Sequence, residues 1–263
     1  MESNSLDKII NKKKENLDLF KNKIKIEDLK NKIDKFDKYL DFKEKIFLNF
    51  SKGKFSLIAE IKKASPSAGV IIEDYNPVNI AAIYEKNKAT CLSVLTEEDF
   101  FNGSLDHISK IKEHVNLPIL CKDFFIDKFQ IPLAKSFGAD AILLIVAALT
   151  QNQLEELYYT ALEYKMSIII EVHTVEEANR ITNFKNAIIG INNRNLKTLK
   201  TDINTTYDIY DVVKNYKGPL ISESGIKNKE ELLDLKKKTS INTFLIGESL
   251  LKNLDKNSIF SVL

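Results

Sequence analysis

Tryptophan is absent from this chain, cysteine occurs twice and histidine three times. The missing tryptophan carries no functional weight, but the other shortages exclude whole classes of protein. Cys91 and Cys121 each sit inside an apolar, strand-like run and lack metal-ligand spacing. They read as buried free thiols of a reducing compartment, not as a disulfide framework. His107, His114 and His173 are too few and too scattered for a zinc centre, so no metal is expected. His107 and His114 fall on a predicted exposed helix. Charge of one sign is also lacking: the net charge is +2, which leaves no overall electrostatic footprint for nucleic acid. The longest apolar run, Ala141 to Leu149, is about half of the ~20 residues that span a bilayer. The start, Met1 to Asp7, has no apolar core of a secretion signal. A soluble, cytoplasmic protein is expected, with no nucleic-acid or membrane partner, as a monomer or weak homo-oligomer.

Arginine is nearly absent too, with only Arg180 and Arg194 against a large excess of lysine. A guanidinium fork holds carboxylates as lysine cannot, so Arg194 in a candidate site loop draws notice. No Gly-x-Gly-x-x-Gly loop follows the first strand candidate, which argues against a doubly wound dinucleotide fold.

What is present divides the chain at about residue 54. Up to there it is crowded with Lys, Asp and Glu, and Ile9, Ile10, Leu17, Phe20, Leu29, Ile33, Phe36 and Leu40 recur at near-helical spacing. Two or three amphipathic helices are predicted, with Ser51-Lys52-Gly53-Lys54 as the joint. A basic RNA-binding arm is the alternative, and the interspersed acids argue against it. From residue 55 to 263 apolar strand candidates alternate with helical patterns. The strands are Ser56–Ile61, Cys91–Leu95, Pro118–Cys121, Ala141–Ile145, Ser167–Val172, Ala187–Ile191, Pro219–Ser222 and Thr243–Ile246. Eight strands separated by helices predict an α/β fold, a (β/α)8 TIM barrel with an N-terminal helical extension packed on it.

The polar residues that follow these apolar runs locate the chemistry. Glu60 and Lys62 end the first strand on one face, since side chains alternate with period two. Lys122 ends the third strand, Glu171 the fifth and Asn192 the sixth, and Ser224 follows the seventh. Each alone reads equally well as a solvated strand end. Five strands converging on one rim, where this fold places catalysis, make that reading much weaker. The turns holding Gly225 after strand seven, and Gly247, Glu248 and Ser249 after strand eight, lie where barrels of this kind often seat phosphate.

The first-strand segment, Glu60-Ile61-Lys62-Lys63-Ala64-Ser65-Pro66-Ser67, resembles the signature of the indole-3-glycerol-phosphate synthase family. Further matches follow in the family's order. They are Ser93-Val94-Leu95-Thr96-Glu97, Lys122-Asp123-Phe124, the run from Gly138 to Ile145, and Glu171-Val172-His173-Thr174. Gly190 to Leu196, Ser222-Glu223-Ser224-Gly225-Ile226 and Phe244 to Leu250 complete the series. The likeness runs from the first strand to the C-terminus and is weaker through the N-terminal helices.

The resemblance implies a carboxy-lyase of tryptophan biosynthesis that needs no cofactor. Its phosphorylated substrate would be 1-(2-carboxyphenylamino)-1-deoxyribulose 5-phosphate, closed to indole-3-glycerol phosphate with loss of carbon dioxide and water. By motif position, Lys122 is then the general acid for the carbonyl. Glu171 and Glu60 stabilise developing positive charge or shuttle protons, and Lys62 holds an anionic part of the substrate, with proton donation as a second role. Asn192 and Ser224 position substrate hydroxyls or the carboxylate, which Ser65 and Arg194 also contact. Phe124 is offered either to the anthranilate ring or to the core. His173 receives no role from the resemblance and reads as structural, and Asp123 reads as a loop-orienting residue.

Overall fold

Strands buried on both faces read as continuous apolar runs, and such runs here close a barrel. The computed structural model describes residues 5–254 and 256–263, so Met1 to Asn4 and Asp255 lie outside the described residues. The barrel strands are β1 (Ser56–Ile61), β2 (Cys91–Leu95), β3 (Ile119–Lys122), β4 (Ala141–Ile145), β5 (Ser167–Val172), β6 (Ile188–Asn192), β7 (Leu220–Glu223) and β8 (Thr243–Ile246). Each pairs in parallel with its neighbours in sequence, and β8 returns to β1. A two-stranded hairpin, Ala64–Ser65 with Gly69–Val70, stands above β1 where the sequence suggested only a turn.

Alternation sorts each strand into two layers. Leu57, Ala59 and Ile61 of β1 face the surrounding helices, while Ile58 points into the barrel. The interior joins Ile58 to Leu120, Leu143, Ile169, Ile188, Ile221 and Leu245. Each such side chain contributes about 1.5–3 kcal/mol on burial. Polar residues that continue the inward series therefore emerge together at the C-terminal rim.

The helices crossing between strands are α4 (Pro77–Lys86), α5 (Asp106–Lys112), α6 (Gln130–Ser136), α7 (Gln151–Glu163), α8 (Val175–Asn179), α9 (Asn204–Val213), α10 (Lys229–Thr239) and α11 (Glu248–Lys252). Their starts follow the sequence. Asn76 caps α4 ahead of Pro77, Thr150 and Gln153 form a capping box on α7, and Thr174 caps α8. His107 is half-buried against the Tyr75 ring, 5.4 Å between centroids, and not exposed as the helical pattern suggested. His114 is exposed but lies just beyond the end of α5.

Three helices precede β1: α1 (Ser5–Lys23), α2 (Ile26–Lys35) and α3 (Phe42–Phe50). They run from one end of the barrel to the other. Leu6 and Ile9 of α1 reach the cavity at the C-terminal rim, and α2 packs beside α6. Phe42 and Ile46 of α3 fill the opposite mouth, against the interior cluster. Between α2 and α3 the chain is tied down by Asp140, which accepts from the Leu40 N–H at 2.7 Å and pairs with Lys112 at 2.5 Å. Burial disfavours both charges, lifting the Asp140 carboxyl and lowering the Lys112 ammonium, so the pair acts as a latch more than as a source of stability.

Candidate active site

The inward series of β1, β3, β5, β6 and β7 ends in Glu60, Lys122, Glu171, Asn192 and Glu223. Glu60 and Lys62 share a face as period two requires, and the Lys62 Nζ donates to Glu60 Oε1 at 2.6 Å. Lys122 lies 3.1 Å from Glu60 Oε2 and 3.3 Å from Glu223 Oε2. Two ammonium groups and two carboxylates thus form one chain across the floor of a cavity. Glu171, Asn192, Ser224, Ser65, Arg194 and Phe124 line the same cavity with them.

Burial and pairing set the charges. Burial alone would keep Glu60 protonated, but Lys122 and Lys62 outweigh it and hold its carboxyl at about 2. Burial likewise opposes the Lys122 charge, and Glu60, Glu223 and Glu171 together raise its ammonium well above the usual lysine range. Glu223 behaves oppositely. Desolvation, with the nearby Glu171 charge, outweighs Lys122 and pushes its carboxyl up to about 8. Glu171 Oε2 and Glu223 Oε1 are both buried without a hydrogen-bond partner among the described residues. Neighbouring carboxylates of this kind share one proton, and it rests on Glu223.

Glu223 is not among the residues the sequence singles out, because the apolar run Pro219–Ser222 stops one residue short of it, whereas the strand itself extends to Glu223. The signal was present: Leu220 faces outward and Ile221 inward, so alternation carried one residue further aims Glu223 into the barrel. The third and sixth strands likewise end one residue later than the apolar runs suggested, at Lys122 and Asn192.

Loop residues are held by their neighbours. Asn192 Oδ1 accepts from the Arg194 N–H at 3.0 Å, and the Arg194 guanidinium donates to the Leu199 carbonyl at 2.8 Å. Ser224 has a left-handed backbone, φ 65°, and its carbonyl accepts from Asn193 Nδ2 at 3.0 Å. The Ser65 hydroxyl accepts from the Ala68 N–H at 3.2 Å. Phe124 faces the cavity with Phe101 tilted beside it, 6.4 Å between centroids, whereas Phe125 is buried in the helix-side core. Asp123 orients its loop: it accepts from the Phe124 N–H and Thr96 and pairs with Lys13 of α1 at 2.7 Å.

A second cavity adjoins the first, sharing Glu60, Lys62, Arg194 and Ser224, and adds Gly225, Gly247, Glu248, Ser249, Lys227 and Lys252. Glu248 pairs with Lys252 at 2.6 Å, and the Ser249 hydroxyl donates to the Ile226 carbonyl at 2.9 Å. Gly225 has φ 79° and suits glycine for that reason. Gly247 lacks a side chain for another: a Cβ there would strike the Glu60 carboxylate.

The family model described as indole-3-glycerol phosphate synthase matches residues 6–262. A protein of that name from Prochlorococcus marinus subsp. pastoris is 44% identical over 99% of this chain and 89% of its own length. Another from Trichodesmium erythraeum is 40% identical over 95% of this chain and 84% of its own. Among solved structures, tryptophan synthase subunit alpha from Legionella pneumophila has a TM-score of 0.58 at 13% identity, covering 84% of this chain and 93% of that one. A 3-hexulose-6-phosphate synthase has a TM-score of 0.58 at 12% identity, covering 79% and 95%. Likeness at such identity shows the shared fold alone.

Proposed function

The chain belongs to the indole-3-glycerol phosphate synthase family, and we infer from that membership and from the cavity how its residues divide the work. The reaction is the decarboxylating, dehydrating ring closure of 1-(2-carboxyphenylamino)-1-deoxyribulose 5-phosphate to indole-3-glycerol phosphate, a carboxy-lyase step of tryptophan biosynthesis. The observation that carries the division of roles is the run Lys62–Glu60–Lys122–Glu223, linked at 2.6, 3.1 and 3.3 Å on one cavity floor.

Ring closure forms a bond between the carboxylate-bearing aromatic carbon and the sugar carbonyl carbon, and the carbonyl oxygen must gain a proton. Lys122, firmly charged between carboxylates, donates it. The carboxylate then leaves as carbon dioxide, and its bonding electrons restore the aromatic ring. Dehydration removes a proton from the sugar-derived carbon and adds one to the departing hydroxyl. Glu171 takes the first. Glu223, which keeps its proton to about 8, or Lys62 supplies the second. Two protons are given and one is recovered, so each turnover draws one from solvent. Acid–base groups suffice for every step.

Glu60 holds both ammonium groups in place and stabilises positive charge on the ring during closure. Phe124 lies against the anthranilate ring, while Arg194 and Ser65 contact its carboxylate. Asn192 and Ser224 bind sugar hydroxyls. The phosphate sits in the adjoining cavity, against the backbone of Gly225, Gly247, Glu248 and Ser249. Ser249 serves through its N–H, because its hydroxyl already donates to Ile226. The helices before residue 55 and the barrel work as one unit, with α1 excluding water from the rim. The protein acts in the cytoplasm, as a monomer or weak homo-oligomer. No helix among the described residues is long and apolar enough to cross a membrane.

Purified protein incubated with the substrate should develop indole fluorescence. Absence of product from folded protein would overturn this reading.

A further inference from the structure

His173 lies two residues beyond Glu171 and shares its face, and the structure places the ring between two carboxylates. Its Nε2 is 3.1 Å from Glu171 Oε1, and its Nδ1 is 3.3 Å from Glu177 Oε2. Glu177 Oε2 also accepts the backbone N–H of His173 at 2.7 Å, and the Glu177 N–H is bound by the Thr174 cap of α8. The start of α8 thereby fixes the outer carboxylate, and that carboxylate fixes the ring. All of this is sheltered: the side chains of His173 and Glu171 are 6% and 3% exposed.

A neutral imidazole carries one N–H and one lone pair. With a carboxylate oxygen facing each nitrogen, a neutral ring would set its lone pair against a buried negative charge. Only the imidazolium suits both sides. We propose that His173 is a positioning residue, a buried imidazolium bridging Glu177 to Glu171, that keeps Glu171 ionised and leaves the shared proton on Glu223. The idea deepens the proposed function, since it rests on Glu171 being the proton acceptor.

The surroundings of Glu171 show why such a residue is needed. It faces the Lys122 charge, the Asn192 amide, Glu223 and His173. Lys122 lies 3.3 Å from Glu223 and forms no such pair with Glu171 among the described residues, so that lysine by itself favours charge on Glu223 and does not account for an ionised Glu171. Of these two carboxylates, His173 pairs with Glu171 and breaks the symmetry. It pairs with Glu171 Oε1 at 3.1 Å, although Nε2 is not aligned for a hydrogen bond there, and leaves Oε2 for the proton shared with Glu223. The charge directions agree. Burial disfavours the imidazolium, but Glu171 and Glu177 raise it to about 10, and Glu171 in turn is held well below the usual carboxylate range.

The test uses the full chain labelled with 15N-histidine. There are three histidines, so the His173 signal is assigned by its loss in His173→Gln. Both ring nitrogens should carry the imidazolium signature from pH 6 to 9, and Glu177→Gln should bring the titration to lower pH. A neutral His173 ring at pH 7.5 in the wild type overturns the proposal whether or not any variant folds. In His173→Gln the acid limb of kcat should move to higher pH, with kcat on that limb lowered and recovering as pH is raised, and KM within about threefold. An unmoved acid limb with a lowered Tm would show a merely structural histidine and also overturn it. Glu171→Gln keeps the readings apart: wild-type turnover there would refute the catalytic assignment, while the ring signature of the wild-type protein would still report the imidazolium.

Discussion

Gly190 and Glu223 occupy the same space: a Cβ on Gly190 would strike Glu223 Oε1, so the missing side chain on β6 is the berth of the carboxylate from β7. Gly190 is also in register with Glu171 on β5, which makes it the window through which the two carboxylates meet. Gly247 gives Glu60 the same room from β8. Two of the eight glycines therefore serve buried acids and not chain reversal.

Gly190→Ala should accordingly act on chemistry. Its backbone has no positive φ, so alanine is conformationally acceptable and the added methyl alone is tested. Displacing Glu223 should lower kcat by about 10²-fold with a modest loss in Tm. Wild-type kcat in Gly190→Ala would show that Glu223 need not sit there. Gly247→Ala should behave likewise through Glu60.

Lys122 and its neighbour Cys121 should separate chemistry from packing. Lys122→Met removes the proposed proton donor and should lower single-turnover rates by about 10²–10⁴ while the fold survives. Cys121 is buried on the helix side, with Thr96 Oγ1 3.3 Å from its sulfur. Cys121→Ala should cost about 1 kcal/mol and leave turnover within a few-fold of wild type. The reverse pattern would reject the catalytic assignment.

Glu223 should make stability fall with rising pH. An unfolded glutamate ionises near 4.5, whereas folded Glu223 keeps its proton to about 8. The folded state thus binds more protons between those values, so stability declines as pH rises through that window. Glu223→Gln mimics the protonated acid and should match wild type near pH 4, then become the more stable form towards pH 8. Urea denaturation from pH 4 to 9 checks this; curves that stay parallel would refute it.

Removing α1 should loosen the substrate without unfolding the barrel. A cut after Lys23 deletes Leu6 and Ile9 from the cavity wall and Lys13 from its pair with Asp123. A longer cut to Asp41 would also remove the cap of α3 and the Leu40 contact with Asp140, confusing the result. In the shorter variant KM should rise about tenfold, kcat should change within a few-fold, and circular dichroism should persist. Unchanged kinetics would dismiss a covering role.

By itself, the sequence determined the barrel and most of its rim. Parallel strands buried on both faces need apolar runs, and period two then assigns Glu60, Lys122 and Glu171 to the inside without knowledge of contacts. Local signals also set the helix starts at Asn76, Thr150 and Thr174, because a cap is made within four residues of chain. Only the tertiary structure decided which charge each rim residue carries. Glu60 and Glu223 are chemically identical and both buried, yet one is held ionised by two lysines and the other keeps its proton beside Glu171. The roles of Gly190 and Gly247 were hidden for the same reason, since the atoms they admit come from neighbouring strands. His173 drew its partners from β5 and from α8, and its charge follows from both at once. Alternation is a property of one strand, whereas a pKa belongs to every strand that meets at the site.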